Sequence, residues 1–290
     1  MKKIKILFIL LCIFVVFVTF SSIFFTCKNL SKEIERIPEK ESLIIGFSQI
    51  GTESSWRIRN TESIFEAASE KNIKILFDDA KQKQSNQLKA IRSFIVYQVD
   101  VIVFVPIVSD GWNNVLQEAK EADIPVIVID RQIDVDSSLY AGFLGENGYE
   151  EGRAAGKFLL QKVENMTNQK INILELSGTE NSSIAIERAG GFRDIIQKDT
   201  RLNIIHSEDG DFLRSRGKEI MDKILGMNKG LYFEGEPIDV IFSHNDPMTL
   251  GLLESFERNG VSDYPIIISI DAEQECIDAL VNGKIDCVVE

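Results

Sequence analysis

Between residues 43 and 290 the chain alternates short, mostly apolar runs with longer stretches whose apolar residues recur every three or four positions. The apolar runs fall at 43–47, 73–77, 101–105, 126–129, 171–176, 203–206, 239–243, 266–270 and 285–289. They are rich in Ile and Val and lack the in–out alternation of a sheet with one wet face. That pattern predicts parallel strands covered on both sides. The longer stretches lie at 58–71, 84–98, 150–162, 184–198, 214–225, 247–259 and 273–282. They predict amphipathic helices; in the second, Leu88, Ile91, Ile95 and Val99 stand at helical spacing. Strand–helix alternation over this length predicts a doubly wound α/β protein. The pattern breaks at 134–145, beginning Asp134-Val135-Asp136-Ser137-Ser138, which predicts a crossover between two lobes, 43–136 and 137–290.

Ahead of this region, Lys2, Lys3 and Lys5 precede 22 residues without a charge, 6–27. At about 1.5 Å per residue such a run spans a bilayer core of roughly 30 Å. The basic flank stays on the cytoplasmic side, so everything after it is expected outside the cytoplasm. Residues 1–27 are thus expected to be a signal anchor or signal peptide, with a lipoprotein cleaved before Cys27 as the other option. Residues 28–42, charged and carrying one proline, are expected to be a stalk.

Composition narrows the function by exclusion. Lys and Arg total 32 against 45 Asp and Glu, a formal charge of −13, which disfavours nucleic acid and anionic membrane as partners. Four scattered cysteines and two histidines, with no CxxC, offer neither a disulfide framework nor a zinc site. The dinucleotide, P-loop, GxSxG and HExxH patterns are absent, and no nucleophile–base pair stands out, so an enzyme is not expected.

Ligands of open α/β sheets bind beyond the carboxyl ends of the strands, so the residues after each apolar run are the candidates. These are Ser48, Gln49, Glu53, Trp56 and Arg57; Asp78 and Asp79; Asp130 and Arg131; Ser177, Gly178 and Thr179. In the second half they are Asp209, Gly210, Asp211 and Phe212; Asn245 and Asp246; Asp271; and Glu290. Carboxylates accept from hydroxyls, arginine offers a rigid fork of donors, and aromatic faces cover the C–H side of a sugar ring. Each has a plainer role open to it. Asp130 and Asn245 suit helix caps, Trp56 a core, and Arg188, on an amphipathic stretch, solvent.

The strings GFSQIGTESSWR (46–57), DAKQKQSNQLKAIRSFI (79–95), AIERAGGF (185–192), GDFLRSRGKEIM (210–221), HNDPMTLG (244–251) and SIDAEQECIDALVNGKIDCVVE (269–290) resemble type I periplasmic sugar-binding proteins of ABC importers. The galactofuranose-binding branch is the nearest in pattern. The resemblance implies two doubly wound lobes closing on one monosaccharide, with no cofactor and no metal, in a monomer that serves an ABC permease. An alternative output is a membrane-anchored receptor signalling to a sensor kinase. The implied ligand contacts are Trp56, Arg57, Asp130, Arg131, Arg188, Phe212, Asn245, Asp271 and Glu290, with Ser48 and Asp79 as weaker transfers. Ser55, Pro247, the 178–183 loop and the 229–237 segment depart from the branch pattern. The resemblance also implies a first lobe lacking its last strand and helix, since family members return to it beyond the position of Glu290.

Overall fold

Strand β1 (Ile44–Gln49) leads through α1 (Ser55–Glu70) to β2 (Lys74–Asp79), α2 (Gln84–Val96), β3 (Val101–Phe104), α3 (Asn113–Glu121), β4 (Val126–Asp130) and β5 (Gly142–Gly145). The chain continues with α4 (Gly148–Val163), β6 (Ile171–Ser177), α5 (Ser183–Ile196), β7 (Leu202–Asp209), α6 (Arg214–Asn228) and a small hairpin of β8 (Tyr232–Phe233) and β9 (Glu236–Pro237). Then come β10 (Val240–Ser243), α7 (Asp246–Asn259), β11 (Ile266–Ile270), α8 (Gln274–Val281) and β12 (Cys287–Val289). This computed structural model describes residues 42–228 and 230–290. The expected membrane segment, and all of the expected stalk but Ser42, lie outside the described residues. Among the described residues no helix is long and apolar enough to cross a membrane.

Two parallel five-stranded sheets result, ordered β2-β1-β3-β4-β5 and β12-β11-β10-β6-β7. Their central strands are mostly apolar because successive side chains feed opposite cores. In β10, Val240 and Phe242 enter one cluster with Phe192 and Leu159, while Ile241 enters the other with Met221 and Phe256. Ile102 and Phe104 of β3 pack with Trp112 and Leu116, and Val103, with Val105 just past the strand, packs toward Phe47. A side chain such as Phe104 or Phe242, with no exposed surface, contributes about 1.5–3 kcal/mol by burial. At the edges this coverage thins: Leu76 and Phe77 on β2 stay 36% and 38% exposed, and Leu144 on β5 is 75% exposed.

Three features differ from the sequence reading. Residues 142–145 form β5, paired in register with β4 as Ile127↔Gly142 to Asp130↔Gly145. The first sheet therefore runs past the boundary expected at 136, and the chain passes to the second lobe at Glu146–Asn147. A four-residue strand with a glycine at each end carries no periodic signal, which is why it read as crossover. Helix α3 was not among the expected helical stretches either; its nine residues bury only Val115, Leu116 and Ala119. The third feature is the β8–β9 hairpin, turned by Glu234 and Gly235, whose φ values of 48° and 86° are those of a type I′ turn.

Two helices of the second lobe approach unusually closely. A Cβ on Gly152 of α4 would come within 2.0 Å of the Arg188 carbonyl, and one on Gly191 of α5 within 2.0 Å of the Tyr149 carbonyl. Both positions need glycine because the backbones themselves touch. This crossing brings Glu151 and Arg188 into contact.

Candidate functional site

The carboxyl ends of both sheets face one cleft lined by Glu53, Ser54, Trp56, Arg57, Asp130, Arg131 and Glu146 on one side. Ile184, Arg188, Phe212, Asn245 and Asp271 line the other. About 370 Å³ of it, counting the open solvent at its mouth, is not filled by protein atoms. The lobes also touch directly around it. Trp56 N donates to Glu273 Oε1 at 3.0 Å, Ser109 N and Oγ both donate to the Asn181 carbonyl at 2.9 Å, and Gln132 N donates to Ser183 Oγ at 2.8 Å.

On the first-lobe side, Ser54 starts α1 by accepting from Arg57 N at 3.0 Å, which turns Trp56 and Arg57 into the cleft. Arg57 donates through Nε to Glu53 Oε1 at 3.2 Å and through Nη1 to Asp130 Oδ2 at 2.5 Å, with its guanidinium 4.8 Å from the centre of the Trp56 ring. Burial pushes the Asp130 carboxyl up, but Arg57 and Arg131 outweigh it and hold the group below its ordinary value. Arg131 donates to the Ile107 carbonyl at 3.2 Å, and its Nε is buried without a partner. Burial lowers this guanidinium to about 10, with Arg57 and Arg188 adding to the effect and Asp130 opposing it.

On the second-lobe side the centre is Arg188, almost fully buried on α5. Its Nε donates to Glu151 at 2.7 Å, Nη1 to the His244 carbonyl at 2.5 Å, and Nη2 to Asp271 at 3.3 Å and Glu146 at 3.4 Å. Burial raises Asp271 well above the ordinary range despite this arginine. Glu146 is raised to about 7, by burial first and by the charge of Asp130 second. Phe212 sits between two cations, 4.8 Å from Arg131 and 6.0 Å from Arg188. Asn245 caps α7 by accepting from Met248 N at 3.1 Å, and its amide donates to the Phe212 carbonyl at 3.1 Å. The cap and the cleft wall are thus the same residue.

Three cleft residues hold backbone angles that ordinary side chains avoid: Asp130 at φ 68°, Phe212 at φ 59° and Asp271 at φ 120°. Such conformations cost about 1–3 kcal/mol each and gather where a side chain must be aimed. Behind the cleft, His244 is fully buried, with Nε2 3.2 Å from Glu175 and Nδ1 3.3 Å from Gly178 N. Burial lowers its pKa and outweighs Glu175, so the neutral ring accepts from Gly178 and donates to Glu175. Arg193 completes the group with bonds of 2.8 and 2.6 Å to the same carboxylate.

Of the eleven expected contacts, eight line the cleft: Trp56, Arg57, Asp130, Arg131, Arg188, Phe212, Asn245 and Asp271. Glu290 lines an adjoining cavity together with Trp56, Glu146, Arg188 and Asp271. Ser48 and Asp79 do not line the cleft. Ser48 is wholly buried, its Oγ without a partner among the described residues. Asp79 accepts from Lys81 N at 2.8 Å in the turn after β2 and borders a separate groove beside Phe77 and Tyr97. Glu146, Glu53, Ser54 and Ile184 were not among the expected contacts. Glu53 stands in the quoted post-β1 loop, whereas Glu146 follows β5, the strand that sequence reading passed over. Among the described residues no His, Cys, Asp and Glu group is arranged to hold a metal ion.

Residues 45–289 match the family model of the periplasmic binding protein domain. The galactofuranose-binding protein YtfQ of Escherichia coli (strain K12) is 38% identical over 251 residues, 86% of this chain and 77% of that one. A crystal structure from Mycobacterium smegmatis in complex with β-D-fucofuranose superposes with a TM-score of 0.78 at 42% identity, covering 84% of this chain and 79% of the other. The binding protein of the arabinose ABC transporter from Shewanella sp. ANA-3, bound to α- and β-L-arabinofuranose, gives 0.76 at 38% identity, covering 83% and 78%. With its whole two-sheet unit inside the family match, this chain belongs to the periplasmic sugar-binding proteins of type I.

Proposed function

We propose that the cleft binds one monosaccharide in its furanose ring form, galactofuranose or a close relative, and delivers it to an ABC permease outside the cytoplasm. The observation that carries this reading is the pairing of chemistry across the cleft. Rigid donor forks (Arg57, Arg131, Arg188) and carboxyl acceptors (Asp130, Glu146, Asp271) share one space with the aromatic faces of Trp56 and Phe212. Hydroxyls that both donate and accept satisfy such a set, and the rings cover the apolar side of the sugar. Furanose preference is supported by the ligands of similar proteins, galactofuranose, β-D-fucofuranose and L-arabinofuranose.

Lobe closure follows from the same layout. Arg131 comes from one lobe and Phe212 and Arg188 from the other, so a ligand touching all three is bound fully only when the lobes are together. The test is a melting-temperature screen with ring-locked probes. Methyl β-D-galactofuranoside is expected to raise the melting temperature and methyl β-D-galactopyranoside to leave it unchanged. A shift with the pyranoside alone removes the furanose assignment; no shift with any sugar removes the sugar reading.

A further inference from the structure

We infer that Glu273 is a positioning residue, a carboxylate of the second lobe that caps the N-terminus of α1 in the first lobe and so holds the cleft closed over Trp56. The first four N–H groups of a helix have no partner within it. In α1, Ser54 Oγ accepts from Arg57 N, and the first turn contains no acidic residue of its own. The Trp56 N–H is satisfied from the other lobe instead, by Glu273 Oε1 at 3.0 Å, 217 positions away in sequence.

Glu273 is built for this reach. It occupies the N-cap position of α8 with φ −61° and ψ 145°, yet its side chain makes no capping bond to its own helix. Its backbone is fixed from beneath: Glu273 N donates to Asp246 Oδ2 at 2.6 Å, and Asp246 is anchored in turn by Ser269 Oγ. The carboxylate is therefore held at the rim of one lobe and aimed at the positive end of a helix dipole in the other. The Glu273–Trp56 bond involves a charge, as does the Arg188–Glu146 pair at 3.4 Å, whereas the Ser109–Asn181 and Gln132–Ser183 bonds are neutral. Charge-assisted bonds are roughly twice as strong as neutral ones. It exists only while the lobes are together, so it biases the open–closed equilibrium whichever sugar binds. It also fixes Trp56, whose ring faces the cleft beside Arg57.

The test is amide hydrogen exchange on the full-length, ligand-free protein, comparing wild type with E273A, E273D and E273Q. E273A removes the acceptor, E273D shortens it below reach, and E273Q keeps an oxygen but not the charge. If Glu273 latches the lobes, E273A and E273D speed exchange by about fivefold or more, not only at Trp56 but also at Ser109 and Gln132. Those two amides touch the second lobe without contacting Glu273, so a merely local loss cannot expose them. E273Q is expected to fall between, and it keeps the test readable if E273A unfolds. Faster exchange confined to Trp56, or no change at any of the three sites, overturns the latch. Failure of the sugar reading shows separately, as absence of sugar-dependent protection in wild type and variants alike.

Discussion

Arg188 is tied to His244 through the backbone, its Nη1 donating to the His244 carbonyl at 2.5 Å while the His244 ring bonds to Glu175 on the far side. One residue thus joins the cleft guanidinium to the buried carboxylate of Glu175, which is paired on its outer side with the exposed Arg193. Burial alone would raise the Glu175 carboxyl, but bonds from His244 and Arg193 bring it down to about 2. The arginine that faces the ligand is therefore held by groups that never reach it.

Removing that arginine strands several partners at once. In R188A, Glu151, Asp271 and the His244 carbonyl lose a buried donor. Breaking one side of a buried pair costs about 3–5 kcal/mol of stability, and the charged donors lost to the ligand weaken binding on the order of 100-fold. Calorimetric titration with the furanoside is expected to show this, together with a lower melting temperature. Unchanged affinity would remove Arg188 from the site.

Arg131 behaves differently: it donates to the Ile107 carbonyl, and its Nε has no partner among the described residues. R131A leaves the Arg57–Asp130 pair in place. The expected result is a loss of affinity of roughly 10–100-fold, larger than any change in stability, since the missing donors serve the ligand more than the fold. A melting temperature that falls as far as that of R188A, with affinity kept, points to a structural role instead.

Gly178 tests the placement of Phe212. A Cβ at residue 178 would meet the Phe212 ring at 1.9 Å, so G178A has to push that ring from its seat. The expected outcome is about tenfold weaker sugar binding, with the fold retained, as one aromatic face withdraws. Binding as tight as wild type indicates that the ring does not stack on the ligand.

Glu146 sets a pH dependence. Its carboxyl moves from 4.5 to about 7 through burial, with the charges of Asp130 and Glu151 adding and Arg188 opposing; Asp271 lines the same cleft. Between those two pH values the folded protein holds a proton that the unfolded chain has released, so this group makes stability fall as pH rises through that window. E146Q removes the effect. Its melting temperature relative to wild type is expected to climb from pH 5 to pH 8 and then level off, and a difference that stays constant with pH contradicts the assignment. Asp246, raised to about 6, acts in the same direction in both proteins and cancels from the comparison.

The sequence by itself determined the alternation of strands and helices, the parallel sheets and most of the residues that line the cleft. These depend on local signals: runs apolar on both faces, helical spacing, and polar residues just after strand ends. Seven of the cleft residues were legible because α/β chains present such groups at those ends, whereas Arg188, on a helix, was expected there only through the family resemblance. What the tertiary structure decided needed contacts between distant segments. The strand β5, too short and glycine-flanked to leave a periodic trace, carries the chain to Glu146 and so brings that carboxyl into the cleft. Asp79 follows a strand as Asp130 does, yet it turns into its own loop, because a place after a strand does not fix the direction of a side chain. The Glu273–Trp56 bond spans 217 residues and exists only because two separately folded lobes meet.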